Sequence, residues 1–495
     1  AFSDGDTTLD GQSKKRQFLS AALDYRNAGF KASLDAYYSK ESFKGGTAAM
    51  FWFPSTVLPA PDASLNQFPG AWGEYENKAV ILRAEYAFND HVTAFAGIGT
   101  RHADGQGTLT GTHVRSINAA GTSTNTFITG QRMFEDTVSS EAGLRFNFNT
   151  GAVGHALVLQ ASRLDLDYGY VSTSTRFTTN IYSPVYQAAP TLPSYLYKTS
   201  DSTFSSLALV DTLSMLDDRL RLTLGLRDQG VKTSSYSSST GALSSTYDES
   251  ALTPAVGVVY KPWGPNVSLY ANYVQGLSQG DSITTAGGYV RDYTFAPYKT
   301  EQKETGVKWN AGTFTNTAAL FEITKPSLIT FASGDAYDAT DGGEKRVRGL
   351  EWNTFGELTR GVRLLGGVAY VQGVLTKTDG GTYDGNTAVG VPRWQGNLGL
   401  EWDVPGVAGL TLTGRIQTSS SAYLDSANTL KLPGWTVFDA GARYATKLYG
   451  RNTVFRLNVT NLFDRNYYSG VFSESTPVAT LGAPRTVSAS VSVDF

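Results

Sequence analysis

The C-terminal residues Arg485–Phe495 place Val487, Ala489, Val491, Val493 and Phe495 on one face and Ser488, Ser490, Ser492 and Asp494 on the other. A period of two belongs to an extended strand, whose successive side chains point to opposite faces. The alternation recurs along the chain: Leu220, Leu222, Leu224 and Leu226 oppose Arg221, Thr223, Gly225 and Arg227, and Phe30, Ala32, Leu34, Ala36 and Tyr38 oppose Lys31, Ser33, Asp35 and Tyr37. Strands with one apolar and one wet face, ending on a terminal aromatic, predict an all-β chain whose apolar partner is a bilayer. The expected fold is a transmembrane antiparallel β-barrel, its charged side chains turned to the lumen because Arg or Lys at the bilayer midplane costs about 2–4 kcal/mol. No apolar run approaches the roughly 18 residues of a membrane helix, which leaves a closed barrel as the way to pair every backbone group in hydrocarbon.

Composition narrows the function classes. The 495 residues show no linker-like break, so residues 1–495 read as one barrel domain. The hydrophobic fraction of 41% and charged fraction of 17% fall below soluble averages, the difference being made up by Gly, Ser, Thr and Tyr. The absence of Cys removes disulfides, thiolate metal sites and Cys nucleophiles. A net charge of −3 supplies no basic field for nucleic acid. His91, His102, His113 and His155 are too dispersed for a His-rich metal site, and the acidic run Asp335–Glu344 lacks EF-hand spacing. No Gly-x-Ser-x-Gly elbow is present, and the expectation is a protein that is not an enzyme. No signal segment opens the chain, which reads as a processed protein or a fragment.

Tight turns are expected near Asn27–Gly29, Asn89–Asp90, Thr150–Gly154, Met215–Asp218, Pro262–Pro265, Ala311–Gly312, Gly356–Arg360, Pro405–Val407 and Leu448–Arg451. Long polar loops alternate with them, over Gly45–Asn77, Gly105–Gly130, Val171–Ser200, Asp281–Tyr298, Ile329–Gly343 and Asn461–Pro484. Short periplasmic turns and long extracellular loops are the asymmetry of outer-membrane barrels. The count is about 19 strands, whereas bacterial single-chain barrels have an even number. In a barrel of the 22-stranded plugged-transporter class, the chain would begin at the end of the third strand, with Asp4–Lys15 as an external loop and Phe18–Tyr25 as an edge without its usual neighbour.

The stretch Arg456-Leu-Asn-Val-Thr-Asn-Leu-Phe-Asp-Arg-Asn-Tyr-Tyr468 resembles the penultimate-strand signature of TonB-dependent outer-membrane receptors. Lys299–Lys308, Arg346–Trp352, Val391–Trp402 and Leu432–Tyr444 are similar, in order, to segments of the ferric-siderophore branch, and Asp4–Ser13 to its early barrel region. The resemblance implies a receptor importing a ferric siderophore. It also implies partners: TonB with ExbB/ExbD, reached through a plug domain that this chain lacks, and outer-membrane lipid and lipopolysaccharide around a monomeric barrel. No cofactor is implied, iron being carried by the siderophore. A passive diffusion channel is the alternative from another class; a receptor of the same fold for cobalamin, haem or an oligosaccharide is the alternative within it.

The signature residues Asn461, Phe463, Asp464, Tyr467 and Tyr468 read first as turn and interface chemistry. Loop aromatics are the better ligand candidates, since ring faces and hydroxyls suit an amphipathic chelate. Trp52, Tyr289, Tyr293 and Trp394, near the expected outer ends of strands, are the predicted siderophore contacts.

Overall fold

The computed structural model describes residues 1–109, 112–283, 289–291, 293–333, 336–472 and 478–494, with side chains throughout except at 331–333 and 336–337. Asp335 and Phe495 lie outside the described residues. One sheet of 24 strands dominates, and every pairing in it is antiparallel except that of Met50–Phe51 with His113–Val114. Four of the 24 are short loop strands (Met50–Phe51, His113–Val114, Tyr468–Val471 and Ala479–Leu481), which leaves 20 in the wall. Nineteen are full strands, from Ser13–Asn27 to Thr486–Val493, and the twentieth is the five-residue stub Phe2–Asp6. The external loop expected over Asp4–Lys15 is shorter than foreseen: Phe2–Asp6 pairs with Ser13–Gln17, and only residues 7–12 turn.

The wall is a meander because each strand meets its successor through a tight turn at one end. The turns fall where expected, with the one over Gly356–Arg360 contracted to residues 360–361. At 216–218 three consecutive residues, Leu216, Asp217 and Asp218, adopt positive φ, and Asp218 is held by the Arg221 guanidinium at 3.1 Å. At the other end the loops are more ordered than expected. Strands Thr122–Thr150 and Val153–Asn180 run through much of two predicted loops, and Phe314–Ser333 and Ala336–Thr359 run through a third. A membrane crossing needs only about 9–11 tilted residues, so these hairpins project well beyond the bilayer. There Arg163 and Asp165, on the same face as Leu157, Leu159 and Ala161, bond each other at 2.7 Å.

Register transmits the face assignment from strand to strand. Val487, Ala489, Val491 and Val493 pair with Val459, Leu457, Phe455 and Thr453, and this face continues through Ala442, Leu412, Trp402 and Val362. Exposed side chains such as Val487 (65%), Leu320 (57%) and Leu398 (45%) make this the hydrocarbon-facing surface. The opposite parity carries Ser488, Ser490, Arg415, Glu401 and Arg363 and faces the lumen. The expectation that titratable side chains avoid the outer face fails at more than one place: Lys303, Glu322 and Arg348 share the parity of Leu320, and His155 and Asp211 share that of Leu157. Asp211, opposite Leu224 and Leu157, points outward, and its carboxylate is met at 2.8 Å by Nδ1 of His155, whose ring stacks on Phe148 at 4.5 Å. The contact satisfies one carboxylate oxygen, while Oδ1 of Asp211 is buried without a partner among the described residues, so the pair offsets only part of the desolvation cost that an isolated carboxylate would carry.

Two edges stay open among the described residues. Strand Ser13–Asn27 is paired along its length only with Phe30–Lys44; Ala1 bonds Phe18, and nothing pairs with the rest of Phe18–Asn27 on the far side. Thr486–Val493 pairs only with the strand before it.

Candidate functional site

A wall one sheet thick has no interior, so the buried apolar core lies where the long loops fold together. Phe51, Phe53, Phe68, Val114, Ile117, Ile128 and Ile181 are buried against Leu424, Leu432, Tyr468 and Ala479. Burying each large side chain contributes about 1.5–3 kcal/mol, enough to hold loops from distant parts of the chain over one mouth of the barrel. Phe51 and Phe53 each meet the Tyr468 ring edge-on, at 6.1 and 5.7 Å. Burial raises the Tyr468 phenol above its ordinary range, and its hydroxyl has no partner among the described residues.

His113 sits in the same assembly, 9% exposed, and accepts a hydrogen bond at Nδ1 from Nη2 of Arg115 at 3.1 Å. Burial first, and the Arg115 charge second, lower its pKa from the ordinary 6.5. A lowered folded-state pKa means that the unfolded loop takes up the proton more readily. The stabilisation is therefore present above pH 6.5 and is lost as the pH falls below it. Limited proteolysis of the loops is expected to accelerate between about pH 7.5 and about pH 5.5, and to accelerate less in His113→Gln. Equal acceleration in both proteins would remove His113 as the cause.

Beneath the loops the inner wall is hollowed. Successive strands set inward residues in register rows: Asn353, Gly367, Asn397, Gln417 and Val437 in one, and Glu351, Ala369, Gln395, Ser419 and Trp435 in the next. Both rows are narrow at Gly367 and Ala369. A Cβ on Gly367 would stand 2.2 Å from the Asn353 side-chain oxygen, so glycine there makes the hollow possible. The result is a cup of about 510 Å³, roofed by loop residues including Gly390, Ala422, Leu432, Ser469 and Val471 and with Tyr468 in its lining. Arg415 and Glu351 are the charged groups lining it, and among the described residues neither side chain makes a hydrogen bond or ion pair. Lower in the lumen, Arg363 is committed to Glu401 at 3.0 Å and to Asp403 at 2.8 Å.

The four aromatic candidates do not converge on this cup. Trp52 lies between buried Phe51 and Phe53 with its own side chain 38% exposed, because an extended backbone turns alternate residues outward. Tyr289 packs against a separate cluster of Ile283, Phe295, Tyr298 and Ala339, and its hydroxyl lies 3.5 Å from that of Thr330. Tyr293 pairs with Ile283, stacks edge-on with Phe295 at 4.7 Å and carries the Arg291 guanidinium over its ring. Trp394 shares the outward parity of Leu398, Leu400 and Trp402 and rests on Tyr370 at 4.9 Å, the position of an interfacial aromatic. Arg346 and Arg348 are also outward, Arg348 paired with Glu322. Asp338 of the acidic run is held by Arg291 at 3.0 Å.

The turn at Asn461 is structural in its contacts. With φ of 47°, Asn461 donates from Nδ2 to the carbonyls of Arg465 and Ala483 and accepts from the Arg465 N–H; Asp464 accepts from the Arg485 N–H at 3.1 Å. Tyr467 lies on Trp435 at 4.8 Å and so close over Gly482 that a Cβ there would overlap its ring.

Residues 5–462 match the family described as TonB dependent receptor-like, beta-barrel. The chain is 32% identical to the ferrichrome receptor FcuA of Yersinia enterocolitica over 99% of its own length and 66% of that receptor. It is 28% identical to the ferrichrome outer membrane transporter/phage receptor of Escherichia coli K12 over 72% of its length and 48% of that protein. It thus spans less than two thirds of either receptor. Among solved structures, BauA, the ferric preacinetobactin receptor from Acinetobacter baumannii, superposes with a TM-score of 0.89 and 34% identity, covering 100% of this chain and 74% of BauA. The outward apolar wall, the loop-roofed mouth and these likenesses agree: the chain belongs to the TonB-dependent receptor β-barrel family of the Gram-negative outer membrane.

Proposed function

We propose that this chain is the barrel of an outer-membrane receptor that imports a ferric siderophore. The observation that carries the reading is a polar cup on the inner wall, directly below loops packed across the mouth, in a chain whose relatives include receptors named for ferrichrome and ferric preacinetobactin. In this reading the loops capture the chelate, with Trp52, Tyr289 and Tyr293 as first contacts, and the cup receives it. The full-length receptor in this reading carries a plug that presents the TonB contact. TonB, energised with ExbB/ExbD, then moves the plug. No bond is made or broken and no resident cofactor takes part; the barrel works as a monomer surrounded by lipopolysaccharide.

Binding of the iron-loaded and iron-free chelate to the full-length receptor tests this. The iron-loaded form is expected to bind far more tightly, since iron fixes the shape that the site reads. Tyr289→Ala or Trp52→Ala should weaken binding by about 1–3 kcal/mol as central contacts, while Trp394→Ala, on the outer wall, should leave it unchanged. Equal affinity for the two forms would overturn the proposal.

A further inference from the structure

We infer that the outer wall carries a binding site for the phosphorylated headgroup of lipopolysaccharide, formed by Lys303, Arg346 and Arg348. The inference rests on the outer-membrane placement of the wall and goes beyond the cargo reading above. Register defines the level of the site. Thr305, Leu320, Leu350, Tyr370 and Trp394 follow one another across five neighbouring strands on the outward face, and the Tyr370–Trp394 pair marks the membrane boundary in that row. One outward position nearer the loops, the row reads Lys303, Glu322 and Arg348, and the next brings Glu301 and Arg346. Long loops lie on the external side of such barrels, so these cations stand among the headgroups of the outer leaflet, which lipopolysaccharide occupies.

Charge and shape both suit that lipid. Glu322 stands between Lys303, at 3.9 Å, and Arg348 on its other side, so one carboxylate serves two cations. Glu301 accepts from Nε2 of Gln275 at 3.1 Å, and the Arg346 side chain makes no hydrogen bond or ion pair among the described residues. Elsewhere on the outward face the balance is reversed: Lys40, Lys78 and Arg163 are each held by a carboxylate, of Glu74, Glu76 and Asp165, and Asp104 and Asp136 are left to share His102. Below the basic row an open groove of about 490 Å³ runs over Ala271, Thr305 and Leu320, with Lys303, Glu322 and Arg348 along its loop side. An acyl chain can lie on that floor while a phosphate reaches the guanidinium forks, which match it bidentately. Clustered cations beside a lipid-facing surface recognise phosphorylated headgroups. A zwitterionic headgroup brings its own ammonium and needs no such cluster, whereas the lipid A phosphates carry no compensating cation.

The test titrates bis-phosphorylated lipid A into the full-length receptor in detergent micelles and counts bound lipid by native mass spectrometry. Lipid A is expected to bind at least about tenfold more tightly than the same lipid stripped of its phosphates. The triple variant Lys303→Gln, Arg346→Gln, Arg348→Gln is expected to lose that preference, and the triple variant Lys40→Gln, Lys78→Gln, Arg163→Gln, on the acidic stretch of wall, to keep it. Glu322→Gln, which removes the competing carboxylate at nearly constant shape, is expected to strengthen lipid A binding by about threefold or more. Heat-modifiable mobility shows whether each variant forms its barrel; should the first triple variant fail to fold, Arg346→Gln alone, which breaks no ion pair, is expected to reduce the preference by about threefold. A preference that is missing from the unaltered protein, that survives loss of these cations, or that phosphatidylglycerol matches at equal concentration overturns the site. The cargo reading is untouched by any of these outcomes, because it is decided by chelate binding at the other face of the wall.

Discussion

Uptake of a labelled ferric siderophore by cells carrying the full-length receptor is expected to fall to background when TonB is deleted. In the proposed reading the inner wall and its packed loops hold the chelate, and a site that holds its cargo tightly releases it only when work is done on the protein. The outer membrane stores no ion gradient of its own, so that work has to come from the inner membrane through TonB. With TonB present, the rate should saturate at low chelate concentration, as binding does. A rate that is unchanged without TonB and rises in proportion to concentration would identify a diffusion channel and remove the receptor assignment. Planar-bilayer conductance offers a second readout: a receptor filled by its plug is nearly silent, and an unplugged lumen of this class is not.

Leu398→Arg is expected to cripple barrel insertion, while Thr413→Arg, which turns inward on the neighbouring strand, is expected to be tolerated. Leu398 sits mid-strand on the outer face between Ile416 and Gly366, with no acidic side chain beside it on either partner. An arginine there enters hydrocarbon at a cost of about 2–4 kcal/mol. Thr413 pairs with Glu401 and Gly441 in the lumen, where a guanidinium meets water and a carboxylate. The position matters: arginine at Leu224, equally apolar in sequence, would lie opposite Asp211 and find a partner in the wall. Folding yield in liposomes, read from the heat-modifiable mobility of the barrel, distinguishes the two variants. Equal yields would contradict the face assignment.

The faces of the wall strands were legible in the sequence because a two-residue period is a local property and a bilayer enforces it along every crossing. The turns were legible for a similar reason, since a few residues such as Asn89 or Gly361 decide them locally; the Asn89 side chain accepts from the N–H groups of His91 and Val92 at 2.8 and 2.9 Å. The loops were less legible. Thr122–Gly130 and Val171–Asn180 are polar enough to read as coil, yet they continue as strands, because outside the membrane a strand needs hydrogen-bonded neighbours and not an apolar face.

Sequence by itself determined that this chain crosses a membrane as an antiparallel barrel, which residues face lipid, and, through the stretch ending at Tyr468, which family it resembles. Tertiary structure decided where the cup proposed for the ligand forms. The cup draws on Glu351, Gln395, Arg415, Trp435 and Tyr468, residues that only strand register and loop folding bring to one level. Trp394 shows the same limit from the other side: an aromatic at the outer end of a strand fits a pocket or a membrane boundary equally well, and parity carried across the sheet placed it on the boundary. Alternation fixes which way a side chain points, but the height of one strand against the next is set by long-range pairing, and a binding site is a property of that height.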